Sequence, residues 1–168
     1  MRKLTLILLA LILIGCAQQK VEVKLNATNI TPDKIMGLNK FVCLTGEDAL
    51  RFVKMMHVGE IRFVKDIAMM HYLNVTDPYS KYVTVWVTVY PNSSVAREEA
   101  DRMANSMIKF GWKDVRIKNI DGLSVYYVKP PGRNVTHYFW CNDGYVIYMI
   151  PHNMTENEIH EFIIKIIK

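Results

Sequence analysis

Between residues 81 and 90 the chain alternates without a break. Val83, Val85, Val87 and Val89 fall on one side; Tyr82, Trp86 and Tyr90, with Thr84 and Thr88 among them, fall on the other. A period of two marks a strand, and the valine side is the one suited to lie against helices. Pro91 ends it. Ala96, Ala100, Met103, Ala104, Met107 and Ile108 then recur at helical spacing, with Ser94 as a cap, Glu98 and Glu99 in the first turn where the helix dipole favours anions, and Gly111 as the stop. An earlier helix is predicted over 47–57, capped by Thr45, carried by Ala49, Leu50, Val53 and Met56, and closed by Gly59. Residues 61–73 have no clean period. The turn-rich stretch that follows favours a strand with a bulge there.

The C-terminal half reads as hairpins. Strand segments over 115–120 and 123–129 flank Asp121-Gly122, and segments over 136–141 and 145–150 flank Asn142-Asp143-Gly144, the turn chemistry that joins antiparallel strands. A last helix is announced by Thr155 and Glu158 in capping-box spacing, with Met154 placed to staple onto Ile159; Phe162, Ile163, Ile166 and Ile167 complete its apolar face. The order helix, two strands, helix, four strands, helix gives an α+β fold: an antiparallel meander sheet with about three helices packed mainly on one face.

The N-terminus differs from the rest. Arg2 and Lys3 precede an apolar run over 4–14, which Gly15 and Cys16 close. Eleven residues at about 1.5 Å each span roughly 16 Å, too short for a hydrocarbon core of about 30 Å. The run therefore reads as a signal peptide. Leu13-Ile14-Gly15-Cys16 resembles the lipobox of prokaryotic lipoproteins: an aliphatic residue, a tolerant position, a small residue, then cysteine. The resemblance implies cleavage before Cys16 and a diacylglycerol-type lipid, with palmitate as a further acyl group in this class, on its thiol. The domain plan is then a leader over 1–15, a lipidated tether over 16–39 and one extracytoplasmic α+β domain over 40–168.

Arg2 and Lys3 account for two of the five net positive charges, so the mature chain is mildly basic and carries no concentrated stripe to bind nucleic acid. Lys20, Lys24, Lys34 and Lys40 are candidates to hold the tether against anionic headgroups, or are solvated linker lysines. Six of the eleven asparagines begin Asn-x-Ser/Thr: Asn26, Asn29, Asn74, Asn92, Asn134 and Asn153. Serine and threonine frequency predicts about one by chance. The excess fits N-glycosylation of an exported surface, against a reading in which Thr after Asn only marks turns. Lipobox and dense sequons together resemble archaeal surface proteins.

Chemistry is sparse. Cys43 and Cys141 are the thiols left for a disulfide, the alternative being two buried free cysteines. His57, His71, His137, His152 and His160 show no metal-ligand spacing, and His57 with Glu60 is the best pair available. No nucleophile elbow, phosphate loop or dinucleotide fingerprint is present, so no catalytic residue, metal or cofactor is expected. The suggestive feature is aromatic. Tyr82, Trp86 and Tyr90 share a strand face, and Tyr126, Tyr138, Trp140 and Tyr148 lie in the neighbouring meander. They form either a binding face for a small ligand or envelope protein or ordinary cross-strand packing. From residue 86 onward, with Trp140-x-x-x-Gly144-Tyr145 and the closing helix, the chain resembles small prokaryotic lipoprotein domains of unknown function. The expectation is a cell-surface lipoprotein with a non-catalytic binding or accessory domain. A structural envelope component and an extracytoplasmic hydrolase are the alternatives.

Overall fold

The computed structural model describes residues 26–57 and 59–167. Eight strands form one open sheet: β1 (Lys34–Ile35), β2 (Leu38–Thr45), β3 (Asp66–Leu73), β4 (Tyr82–Val89), β5 (Lys113–Ile120), β6 (Leu123–Lys129), β7 (His137–Asn142) and β8 (Tyr145–His152). Their order across the sheet is β1-β2-β3-β4-β8-β7-β6-β5, and every neighbouring pair is antiparallel. Among the described residues three helices complete the α+β fold: α1 (Gly46–Met56), α2 (Ser93–Lys109) and α3 (Glu156–Ile166).

The two halves of the chain meet at β4 and β8, in unbroken register from Tyr82 opposite His152 to Val89 opposite Tyr145. Because β4 is central and β5 lies at the far edge, α2 has to cross a face of the sheet to connect them. It lies on the face that carries Trp86, packing Ala96, Ala100, Ala104 and Met107 onto Val128, Phe139, Val146 and Tyr148. Helix α1 joins β2 to β3 on that same face, where Ala49 and Val53 cover Ile67. The valine face is closed by α3 instead: Phe162, Ile163 and Ile166 pack against Val83, Val85, Met149 and Trp140.

Several local expectations change. The helix over 93–109 is capped by Asn92, whose side chain accepts from Val95 N–H, rather than by Ser94. Strand β3 pairs with β4 without interruption, and the bulge lies in β2 between Val42 and Leu44. Strands β1 and β2 had no counterpart in the pattern, because β2 shows no alternation of burial. The turn between them is Met36-Gly37, both at positive φ, 51° and 83°; only glycine holds such a φ without cost.

The tether boundary at residue 39 is corrected. From residue 26 onward the arm belongs to the domain, with Ala27, Ile35 and Leu38 buried. Lys40 is not a headgroup lysine: its ammonium donates to Thr28 O (2.9 Å) and Thr31 O (2.7 Å) and pairs with Asp33 at 2.8 Å. Tyr72 O–H donates to Pro32 O at 2.6 Å, and Ala27 N–H to Asp66 Oδ2 at 2.9 Å. These bonds fasten the arm to the domain. The leader, Cys16, Lys20 and Lys24 lie outside the described residues.

Candidate functional site

The register of the sheet sorts the aromatic residues onto two faces. Trp86 lies opposite Tyr148, Tyr148 opposite Phe139, and Phe139 opposite Tyr126. Cross-strand partners share a face, so these four form a ladder over β4, β8, β7 and β6. Ring centroids are 5.0 Å apart for Trp86 and Tyr148, 5.9 Å for Tyr148 and Phe139, and 4.6 Å for Phe139 and Tyr126, all near-parallel. Tyr138 and Trp140 flank Phe139 and therefore point the other way. Both are buried with the valines, which removes them from the expected binding face. Tyr82 stays on the ladder side, stacked on His152 at 4.0 Å. Tyr90 packs with the residues under α2.

Helices α1 and α2 leave part of the ladder face uncovered. Between their C-terminal turns lies a cleft of about 530 Å³, within the usual range for small-ligand sites of about 300–1,000 Å³. Phe52, Met56 and His57 form the α1 wall. Met107 and Trp112 face them, with Pro130, Arg133 and Val135 of the β6–β7 loop. The floor is sheet: Met69 and His71, then Thr84 and Trp86, then Tyr148, Ile150 and His152, then His137. Ten of these sixteen residues are apolar or aromatic, and none is a carboxylate.

Four of the five histidines thus meet in one cleft, which their linear spacing did not disclose. They come from α1's end, β3, β7 and β8, and only the strand order brings them together. Burial pushes the pKa of each below the ordinary value. For His137 burial acts first, then the charges of His152 and Arg133, which take it down to about 4. Burial lowers His71; it lowers His152 with help from His71; and it dominates at His57. Tyr148 moves the opposite way, its pKa raised by burial. At neutral pH, then, a protonated Tyr148 and a neutral His137 share a hydrogen bond of 2.6 Å between the phenol oxygen and Nδ1. Thr84 Oγ1 lies 3.1 Å from His71 Nδ1.

The His57 ring is held by groups other than the Glu60 carboxylate. Its nitrogens face Gly59 O and Met103 Sδ, both at 3.3 Å. Behind it the buried Glu99 pairs with Arg102 and, at 3.4 Å, with Arg62, while Arg102 also donates to Glu60 O at 2.6 Å. This network ties the loop before β3 to α2 at one end of the cleft. Among the described residues no three His, Cys, Asp or Glu side chains are grouped to hold a metal ion.

The disulfide expectation is corrected. Cys43 and Cys141 are free. They sit in β2 and β7, four strand spacings apart, or roughly 19 Å at about 4.8 Å each, whereas a bridge needs Cα atoms within about 7 Å. Burial raises both thiol pKa values, which disfavours the reactive thiolate. All six sequon asparagines are exposed. In two of them the sequon threonine donates to the asparagine: Thr28 to Asn26 Oδ1 at 2.7 Å and Thr76 to Asn74 Oδ1 at 2.8 Å.

Fold and site together define an α+β domain with a ligand-sized cleft on one face of an open antiparallel sheet. No family model matches the chain, and no curated protein matches it. Among solved structures it is similar to the extracellular domain of PknH from Mycobacterium tuberculosis, at 12% sequence identity and a TM-score of 0.53, over 78% of this chain and 83% of that one. At that identity the likeness is one of fold.

Proposed function

We propose that this chain is an outward-facing lipoprotein, held on the cell membrane through lipid on Cys16, whose domain is a non-catalytic module that binds a small ligand in the cleft. The cleft carries the binding half of this reading. A volume of about 530 Å³ over a stacked Trp86–Tyr148 floor, with a few polar groups converging on apolar walls, is the usual make-up of a ligand site. The leader pattern and lipobox resemblance support the anchor, and the exposed sequons support sugar on the outer surface. The fold neighbour is itself described as an extracellular domain, in keeping with that placement.

Native mass spectrometry of the chain extracted from its membrane in mild detergent tests both halves. The expected spectrum shows loss of the leader, a lipid on Cys16, sugar on sequon asparagines and a non-covalent adduct. Thr84→Trp, which fills the cleft floor, should remove the adduct and leave the covalent mass unchanged. An unmodified full-length mass in the soluble fraction would end the lipoprotein reading, and an adduct that survives Thr84→Trp would move binding elsewhere.

A further inference from the structure

We infer that the cleft takes a membrane amphiphile: an apolar chain bearing an anionic carboxylate or phosphate head. This deepens the cleft reading above and rests on it. The charge pattern is one-sided. Among the described residues, Arg133 is the one formally charged residue in the lining, it makes no ion pair, and no Asp or Glu lines the cleft to receive a cation. The groups beside it add only hydrogen-bonding capacity or positive charge: His137 and His152 lie close enough for the charge of His152, like that of Arg133, to act on His137. An exposed guanidinium with two half-buried imidazoles at one end of a largely apolar cleft is a donor set for an anionic head.

The opposite wall calls for a chain. Phe52, Met56 and Met69 stand on α1 and β3, and β3 lies three strand spacings from the β7 that carries His137, roughly 14 Å at the usual spacing. A compact anion would leave that length unfilled. With Met107 added, three of the lining residues are methionines, whose flexible thioethers fit chains of varied shape. Exposed apolar side chains also lie beside the lining in sequence: Met55, next to Met56, is 74% exposed, and Phe110, between Met107 and Trp112, is 66% exposed. Exposed apolar side chains of this size are in keeping with a protein that works against a bilayer.

The test uses the full chain in phosphatidylcholine nanodiscs and three photoreactive probes with one medium-length alkyl chain, ending in carboxylate, alcohol or trimethylammonium. Labelled peptides are mapped by mass spectrometry. The carboxylate should label the cleft walls about tenfold more than the alcohol, the increment of one charge-assisted contact, and the cation should label them least. Arg133→Gln should bring the carboxylate down to the alcohol's level, and Arg133→Lys should restore part of the difference. Equal labelling by all three, still blocked by Thr84→Trp, would overturn the anionic head and leave the cleft reading standing. Labelling away from the cleft, unaffected by Thr84→Trp, would overturn both.

Discussion

One set of alternating strands gives this sheet two faces that are finished differently. On the valine face, α3 and the N-terminal arm leave Val83, Val85, Trp140, Phe162 and Ile163 fully buried. On the ladder face, two helices cover the two sides and stop short of each other, so Trp86 and His71 stay half-buried at a cleft. The cause lies in the covering elements. Ala96, Ala100 and Ala104 let α2 settle close to the sheet but carry nothing long enough to reach over toward β3. A domain whose core is complete on one side can leave a gap on the other, because burial on the closed side supplies most of its stability.

The sharpest way to break this comparison is to excavate each face in turn. Phe162, buried and in edge contact with Tyr72 at 5.3 Å, should cost about 3–5 kcal/mol on replacement by alanine. Met69→Ala at the cleft floor should cost about 1–2 kcal/mol, below the usual core value because the site already opens on solvent. Urea midpoints of the two variants decide the matter. Equal losses would mean that the ladder face is as tightly packed as the valine face.

The next effect belongs to the charges that hold one end of the cleft. Glu99→Gln leaves Arg102 and Arg62 without their counter-ion. Stranding a buried charge costs about 3–5 kcal/mol, reduced here to about 2–3 kcal/mol because both arginines reach solvent. Hydrogen exchange should rise selectively in the loop before β3. Exchange that rises evenly over the whole sheet would show that Glu99 supports the fold and not the cleft.

How far the sequence disclosed the two faces depends on the elements. Strand β4 was legible because its valines and its polar or aromatic residues alternate strictly, and α3 because its cap and stripe are complete. Strand β7 was not. His137, Tyr138, Phe139, Trp140 and Cys141 offer bulky or apolar side chains to both faces, so only pairing with β8 settles its parity, and the sequence reading placed Tyr138 and Trp140 on the wrong side. The cleft was hidden for the same reason. His71, His137 and His152 become neighbours through strand order, a non-local property that no spacing along the chain records. Trp112 and Arg133 lie in or beside turns, where periodicity carries no signal. Strand β2 went unread because its bulge at Cys43 breaks the alternation.

The histidines also predict how acid separates the faces. His137 has a folded pKa of about 4 against about 6.5 in the unfolded chain. Between those values the unfolded state binds more protons, so stability falls as pH falls through that window and this residue adds no further loss below it. At pH 5 the loss from His137 is on the order of 2 kcal/mol. His57, His71 and His152 are shifted in the same direction. Thermal melts at pH 7 and pH 5 should show a drop that His137→Gln reduces. The valine face carries no histidine among its buried residues, so Trp112, beside His137 at 5.6 Å, should report the change in fluorescence before global unfolding does.

The smallest effect compares the helices themselves. Helix α3 begins with a complete capping box: Thr155 Oγ1 accepts from Glu158 N–H, and Glu158 Oε2 accepts from Thr155 N–H at 2.9 Å. Helix α1 has Thr45 at the same position with no side-chain cap bond. The two threonines look alike in sequence, each with an acidic residue three positions on, but Gly46 at a positive φ of 56° follows Thr45 and redirects the chain into α1. Thr155→Ala should therefore cost about 1 kcal/mol, and Thr45→Ala a few tenths at most. Paired urea titrations resolve that difference. A cost for Thr45→Ala as large as that for Thr155→Ala would show that the cleft wall is fastened as firmly as the helix sealing the other side.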